Sequence, residues 1–363
     1  MKPIAQKIVL AGVGILFALA LCEGLVWLTP QKLLTPRLRE LGKRMELYRS
    51  TDGMYVADEE LLFKIRPNTD IMVDHPDYHV RIKTNLNLPG IGFRGGSLGG
   101  TAWGAAVGDS FTFGVGMDQQ DTWVAILAQA LGKEIINFGI PSQGPAQYTR
   151  ILKRYALALK PRLVFYGFYF NDLNSVNRFN RLQRNRFPVS RYLRQYSVLY
   201  NLVHESRPQS AAAQDAEPAE GDGAQLNIAA ADVRRSLARQ NRNFEQRWQL
   251  TAQEIDEAIR ASKDAPVEMV LLYLPSRWEI YWEQLKAQNN FSDELDIDRL
   301  RRTVVEYCGQ RKLTCFDLTP VLKREAAQGK QLYFPIDGHW NKQGNRIVAE
   351  ALQKFLSEKR LAG

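Results

Sequence analysis

Residues 163–172 read Leu-Val-Phe-Tyr-Gly-Phe-Tyr-Phe-Asn-Asp, a continuous apolar run that ends in two polar residues. An uninterrupted run of this kind is typical of a parallel strand that helices cover on both faces, so residues 163–169 are predicted to form a strand. Four further apolar runs predict strands, at 103–107, 134–138, 267–274 and 313–318. Strands that alternate with helical patterns in this way predict an α/β fold, a three-layer α/β/α sandwich around a five-stranded parallel sheet.

The connection between the third and fourth predicted strands is longer than a helical crossover needs. About 90 residues separate Asp172 from Val267, which predicts an insertion at about 174–262. Within it, residues 207–226 are rich in Ala, Glu, Asp, Pro and Gly and show no apolar periodicity. Such a composition cannot bury enough apolar surface to order itself, so it predicts a disordered linker.

The N-terminal segment from Ile8 to Leu28 has 21 residues interrupted only by Glu23. As a helix it is long enough to cross a hydrocarbon core of about 30 Å, so residues 1–30 are predicted to form one transmembrane helix. A cleaved signal peptide is one alternative, although no small-x-small cleavage site ends the run. A lipoprotein modified at Cys22 is another, although Leu21 occupies the position where lipidation signals have a small residue. Residues 31–100 are predicted to form a juxtamembrane helix and short β segments, and residues 101–363 the main domain.

Composition is ordinary for a globular protein, with 45% hydrophobic and 24% charged residues, but the formal net charge is +9. A basic chain favours anionic partners, which include nucleic acid, anionic glycans and phospholipid head groups. The arginine-rich stretch 178–194 fits the same partners, or a solvated basic surface. An anchored, exported protein argues against nucleic acid, so none is predicted as a partner.

Cysteine and histidine positions indicate no metal site. Cys308 and Cys315 are predicted either to form a disulfide in an oxidising compartment or to be two small buried side chains. His75 and His79 lie beside acidic residues, but Pro76 prevents the helical spacing that a pair of ligands would use. We therefore expect neither a metal ion nor a cofactor.

Four short polar blocks occur in a fixed order, and three of them follow predicted strands. They are Gly108-Asp109-Ser110, the segment 137–144, Asn171-Asp172 and Asp337-Gly338-His339. The carboxyl ends of parallel strands meet at one edge of a sheet, so these blocks are expected to converge. In this order they resemble the GDSL/SGNH hydrolase superfamily, whose members cleave or transfer acyl groups on esters.

The resemblance implies a flavodoxin-like SGNH fold and a role for each block. Ser110 is the expected nucleophile, His339 the base that removes its proton, and Asp337 the acid that orients the histidine. The oxyanion hole is expected from the backbone N–H groups of Ser110 and Ser142 and the side-chain amide of Asn171. Asn341 also predicts a cap for the helix that follows.

Further residues are expected to line the substrate site. Gly139 and Gly144 are alternative oxyanion donors in the second block, and Arg277 and Trp278 follow the fourth strand. One residue separates Asp337 from His339, whereas two are common in the superfamily. The shorter spacing occurs in SGNH-like polysaccharide O-acetyltransferases.

The segments Thr84-Asn85 and Gly92-Phe93-Arg94 are similar to the region that precedes the domain in membrane-anchored bacterial members. The resemblance therefore implies a bacterial inner-membrane protein with its catalytic domain in the periplasm, hydrolysing O-acyl esters, foremost acetyl esters, of cell-envelope or exported glycans. The alternatives are an O-acetyltransferase that passes the acetyl group to a polysaccharide hydroxyl, and a non-catalytic glycan-binding or assembly subunit. The expected partners are an acylated glycan, the inner membrane and a membrane acyltransferase.

Overall fold

The computed structural model describes residues 2–29, 35, 38, 53–84, 90–94, 102–184, 197–200, 230–289, 291 and 295–362. The linker predicted at 207–226, nearly all of the predicted juxtamembrane helix and about half of the arginine-rich stretch lie outside the described residues. The chain divides into two compact units, one formed by 1–53 with 185–215 and the other by 54–184 with 216–363.

The larger unit contains a five-stranded parallel sheet, which confirms the predicted α/β class. The described strands are β1 (Tyr55–Asp58), β2 (Leu62–Ile65), β3 (Asp70–His75), β4 (Tyr78–Lys83), β5 (Gly104–Gly108), β6 (Ile135–Gly139), β7 (Leu163–Tyr169), β8 (Glu268–Leu274) and β9 (Thr314–Asp317). The parallel sheet has the order β6-β5-β7-β8-β9. The chain reverses direction across the sheet at the β5/β7 junction, where open α/β sheets place their ligands.

Helices of the larger unit cover both faces of this sheet. The described helices are α1 (Lys2–Leu28), α2 (Ser110–Phe113), α3 (Trp123–Leu131), α4 (Pro145–Ile151), α5 (Asp172–Arg184), α6 (Ala230–Asn241), α7 (Phe244–Asp264), α8 (Arg277–Ile280), α9 (Trp282–Asn289), α10 (Arg299–Arg311), α11 (Thr319–Ala327) and α12 (Lys342–Glu358). Alternate residues of β7 point to opposite sides: Val164, Tyr166 and Phe168 join one buried cluster, and Leu163 and Phe165 the other. The continuous apolar pattern of this strand therefore reflects burial on both faces.

Two antiparallel hairpins precede the parallel sheet. β1 pairs with β2, and β3 pairs with β4 so that His75 faces Tyr78 across a turn formed by Pro76 and Asp77. Along β4, Val80 and Ile82 are buried and alternate with exposed residues, as expected for a strand with one face on the core.

The end of the predicted insertion belongs to the main core. In α7 the side chains of Ile255, Ala258 and Ile259 are buried against the sheet cluster. Because α7 leads directly to β8, it is the crossover helix that a parallel β7–β8 connection requires.

The smaller unit contains α1. Glu23 of this helix accepts hydrogen bonds from the Ser197 hydroxyl (2.8 Å) and from the backbone N–H groups of Val198 (2.5 Å) and Leu199 (3.1 Å). Among the residues that the structure describes, no helix is found that combines the length and apolarity of a membrane span. The anchor expected at residues 1–30 stays a prediction.

Cys308 of α10 and Cys315 of β9 form a disulfide. The bond joins the end of one helix to the strand that follows, in the larger unit. Of the two alternatives that the sequence left open for these cysteines, the structure contains the pair.

Candidate active site

Ser110 lies at the start of α2, directly after β5. The Asp109 carboxylate caps this helix by accepting a hydrogen bond from the Phe111 N–H at 2.9 Å. Gly108 is required at the turn, because a Cβ there would lie 2.1 Å from the Thr112 hydroxyl. The tight strand-to-helix turn places the Ser110 hydroxyl at the carboxyl edge of the sheet, and its backbone N–H has no intrahelical partner.

His339 and Asp337 complete a hydrogen-bonded chain to this serine. The Ser110 hydroxyl donates to His339 Nε2 at 2.7 Å, and His339 Nδ1 donates to Asp337 Oδ1. The His339 ring also packs against Phe111, with the ring centroids 4.8 Å apart. The structure thus brings together the three side chains predicted as nucleophile, base and acid, in the geometry that proton transfer from the serine requires.

The Asp337 carboxylate is stabilised in its ionised form. Burial raises its pKa, but the hydrogen bond and charge of His339 and the hydroxyl of Tyr78 together lower it to about 2. Tyr78 donates to Asp337 Oδ2 at 3.0 Å, and the backbone N–H of His339 donates to Oδ1 at 3.2 Å. A carboxylate that stays ionised at neutral pH can stabilise the imidazolium formed when His339 takes the serine proton.

The loop that carries the acid and the base ends in a capped helix. As predicted, the Asn341 side chain caps α12 and accepts a hydrogen bond from the Gly344 N–H at 3.0 Å. The helix cap and the catalytic loop therefore occupy consecutive residues, and one does not exclude the other.

Two of the expected oxyanion donors follow β6 and β7, the strands on either side of β5. Ser142 is exposed and has φ +64°, a left-handed conformation that serine adopts infrequently. Asn171 is half-buried just beyond β7. Within the described part of the chain, no hydrogen-bond acceptor pairs with the Ser142 N–H or the Asn171 side-chain amide, so both can donate to a ligand.

The two glycines of the second block already use their N–H groups. Gly139 donates to Asn137 Oδ1 at 2.9 Å, and Gly144 donates to Gln147 Oε1 at 3.2 Å. A Cβ on Gly144 would lie 1.9 Å from the Ser175 hydroxyl, and one on Gly139 would lie 2.2 Å from a backbone nitrogen of α2. Because glycine has no side chain, Ser175 and the backbone of α2 can pack closely against these two positions beneath the site.

Arg277 and Trp278, expected as substrate contacts, lie beside the catalytic loops. Arg277 is 7% exposed and donates from Nη1 to the Pro335 carbonyl at 3.1 Å, two residues before Asp337. Trp278 packs edge-on against Phe170, with ring centroids 5.7 Å apart. The two side chains thus contact the neighbours of Asp337 and Asn171.

Two fully buried carboxyl groups lie beneath the site. Burial raises the pKa of Asp109 to about 6, and burial together with the nearby Asp109 charge raises the pKa of Asp172. Asp172 accepts hydrogen bonds from the Tyr148 hydroxyl and the Tyr169 N–H, both at 2.9 Å. These bonds fix the start of α5 and with it the position of Asn171.

Arg94, noted in the sequence only as part of a similar segment, supports the nucleophile turn. Its guanidinium is buried and donates to the carbonyl groups of Phe113 (3.1 Å), Gly114 (2.7 Å) and Met117 (2.6 Å). Carbonyl groups at the end of a helix lack intrahelical donors, and Arg94 supplies a donor to Phe113 at the end of α2 as well as to Gly114 and Met117 in the segment that follows. The sequence offered no signal for this role beyond the arginine itself.

The histidines of the hairpin β3–β4 make pairwise contacts with their acidic neighbours. His79 pairs with Asp74 at the surface, and the backbone N–H of Asp77 donates to His75 Nδ1 at 3.2 Å. Among the residues that the structure describes, no group of three or more possible metal ligands occurs.

Residues 209–363 match the protein family described as SGNH hydrolase-like domain, acetyltransferase AlgX. The match includes Asp337 and His339, whereas Ser110 and Asn171 precede it. It confirms the resemblance to the GDSL/SGNH hydrolases. No curated protein matches the sequence.

Solved structures with low sequence identity are similar to this chain. The match to a lipolytic protein of the G-D-S-L family from Desulfitobacterium hafniense has 17% sequence identity and a TM-score of 0.39. It covers 69% of this chain and 97% of that protein's chain. A catalytic mutant of an acetylxylan esterase from Geobacillus stearothermophilus is 13% identical, with coverages of 73% and 96% and a TM-score of 0.36.

Proposed function

We propose that this protein is a serine acyl-ester enzyme of the SGNH type that hydrolyses O-acyl esters, foremost acetyl esters, of glycans. The observation that carries the proposal is the chain from Ser110 Oγ through His339 to the Asp337 carboxylate. A surface serine in a structural turn needs neither an adjacent base nor an ionised acid behind that base.

The first half-reaction transfers the acyl group to the enzyme. His339 Nε2 takes the hydroxyl proton while Ser110 Oγ attacks the ester carbonyl, and the carbonyl oxygen becomes an oxyanion. The N–H groups of Ser110 and Ser142 and the Asn171 amide stabilise this charge, each donor contributing on the order of 3 kcal/mol. The intermediate collapses to acyl-Ser110, and the leaving sugar oxygen takes the proton from His339.

The second half-reaction decides between a hydrolase and a transferase. His339 removes a proton from water or from a sugar hydroxyl, and the resulting oxygen attacks the acyl carbon and restores the Ser110 hydroxyl. Water gives free acetate, whereas a sugar hydroxyl gives an acetylated glycan. Both routes use the same residues and the same acyl-serine.

The family match favours the transferase as the second candidate. The matching family is described as an acetyltransferase domain, and residues 337–339 lie within the match. The one-residue spacing between Asp337 and His339 supports the same reading. A transferase would take its acetyl group from a donor such as a membrane acyltransferase.

For the location we propose the bacterial inner membrane, with α1 as the anchor and the catalytic unit in the periplasm. The apolar run of residues 8–28 supports the anchor. The Cys308–Cys315 disulfide supports an oxidising compartment. An enzyme in this place would meet envelope and exported glycans.

The function is tested by following the acetyl group. The purified protein is incubated with p-nitrophenyl acetate and a panel of neutral and uronic-acid oligosaccharides, and mass spectrometry separates free acetate from acetylated sugar. Release of acetate that depends on Ser110 supports the hydrolase, and acetylated sugar supports the transferase. If Ser110→Ala matches the parent in both products and in labelling by a fluorophosphonate, the protein is a non-catalytic subunit instead.

A further inference from the structure

The hairpin β3–β4 contacts the loop that carries the catalytic acid, although 259 residues separate Tyr78 from Asp337. The contact is made by the turn of the hairpin, at Asp77 and Tyr78. Both side chains direct polar atoms at residues 336–337, so the turn bonds to the backbone and to the carboxylate of the acid.

Asp77 holds the backbone of the acid loop. Its Oδ2 accepts hydrogen bonds from the N–H groups of Ile336 (2.9 Å) and Asp337 (2.7 Å). The Asp77 side chain is only 7% exposed, so these charge-assisted bonds are largely shielded from water. Two consecutive N–H groups on one oxygen fix the orientation of the peptide from which the Asp337 side chain starts.

Tyr78 holds the carboxylate itself. Its hydroxyl donates to Asp337 Oδ2, while His339 occupies Oδ1. The Tyr78 ring stacks on His75, with centroids 4.7 Å apart, and packs at 5.1 Å against Phe334 of the acid loop. The carboxylate is thus held on both oxygens and cannot rotate without breaking a bond.

We propose that the hairpin β3–β4 is the positioning element of the acid–base pair, with Asp77 fixing the backbone of the acid loop and Tyr78 fixing the Asp337 carboxylate toward His339. This inference rests on the proposed acyl-ester function. Asp77 and Tyr78 touch neither Ser110 nor the acyl group, so they act through Asp337 and are positioning residues.

Tyr78→Phe tests the carboxylate bond, because it removes one hydroxyl and keeps the ring contacts. Because a hydrogen bond to a charged group contributes more free energy than a neutral one, we expect Ser110 of this variant to react roughly tenfold more slowly with a fluorophosphonate. The low-field proton resonance of the His339–Asp337 hydrogen bond should also move in the full-length protein. A residue that only packs would change neither quantity.

Asp77→Ala tests the backbone bonds, and Asp77→Asn keeps an acceptor oxygen in the same place. The alanine variant should lose about 100-fold in labelling rate, the cost of misplacing a reacting group by about 1 Å. It should also lose amide hydrogen-exchange protection at residues 336–337, which the asparagine variant should largely retain. Asp74→Ala is the matched control, because Asp74 lies on the same hairpin and pairs at the surface with His79.

The outcomes separate this inference from the proposed function. A labelled parent whose rate is unchanged in Tyr78→Phe and Asp77→Ala overturns the hairpin's role and leaves the function standing. A parent that does not label overturns the function. In that case the positioning role is tested by the low-field proton resonance and by the amide hydrogen-exchange protection at residues 336–337. If neither changes in the variants, the positioning role is overturned.

Discussion

Replacing Asp337 by asparagine removes the negative charge behind His339 and changes almost nothing in volume. In the parent, Asp337 Oδ1 accepts from His339 and Oδ2 accepts from Tyr78. An asparagine can keep one oxygen toward the histidine only if its NH₂ group faces the Tyr78 hydroxyl. In the opposite orientation the NH₂ group meets Nδ1 and favours the histidine tautomer whose proton lies on Nε2, which cannot accept the Ser110 proton.

The magnitude follows from the pKa of the carboxyl group. The pKa falls from 3.8 to about 2 in the folded protein, and a tenfold change in acidity is about 1.4 kcal/mol, so the fold favours the ionised form by roughly 2 kcal/mol. This contribution to stability is present above pH 3.8 and is lost as the pH falls toward 2. The variant should therefore lose at most roughly 2 kcal/mol of stability at neutral pH.

The effect on the acylation rate should be larger than the effect on stability. The wrong tautomer should lower the acylation rate by up to about 10⁴-fold. Stopped-flow release of p-nitrophenol measures the acylation burst, and thermal unfolding of the same sample measures stability. Asp70→Asn, which removes an exposed carboxylate paired with Arg81, is the control. An Asp337→Asn acylation rate within about threefold of the parent would refute the assignment of Asp337 as the orienting acid.

Three further outcomes are expected. Ser110→Ala and His339→Ala should lower turnover by similar factors, and the double variant should be no slower than either, because the two residues act as a unit; a multiplicative loss in steady-state kinetics would contradict this. Asn171→Ala should slow acylation by about 10²- to 10³-fold while the melting temperature stays near that of the parent, and a tenfold effect or less would remove the amide from the oxyanion hole. Burial raises the pKa of Glu279 to about 7, so the free energy of unfolding should lose about 3 kcal/mol from this group as the pH rises from 4.5 to 7. Urea titrations across this range should show a flatter pH dependence in Glu279→Gln, and parallel curves would exclude the effect.

The central sheet could be predicted from the sequence because each of its strands is a short apolar run between helical patterns. The strand predicted at 163–169 has the bounds that the structure gives β7, and the other four differ from the observed strands by one residue at one or both ends. The approach of Ser110 to His339 was implied by the resemblance instead, because His339 does not follow a strand of the sheet. The placement of Ser110, Ser142 and Asn171 at one edge of the sheet followed from the strand pattern, since residues after parallel strands share that edge. Local sequence and one topological rule were sufficient for these features.

The support of the acid loop could not be predicted in this way. Asp77 and Tyr78 lie in a proline-containing turn, and nothing local in the turn indicates a partner more than 250 residues away. The acidic and histidine residues of this hairpin resemble metal ligands in composition. In the structure, however, the Asp77 carboxylate accepts hydrogen bonds from two backbone N–H groups. The role of Arg94 could not be predicted either, because its three hydrogen-bond acceptors are backbone carbonyl groups, which are present in every sequence.

The long separation between Ser110 and His339 has a consequence for synthesis. The nucleophile leaves the ribosome 229 residues before its base. At about 5 to 20 residues per second the delay is roughly 10 to 50 seconds. During this interval Ser110 is an ordinary alcohol, because no base is present to take its proton. The nascent chain therefore carries no acyl-transfer activity, and activity begins only when the residues around His339 dock onto a hairpin that was made long before them.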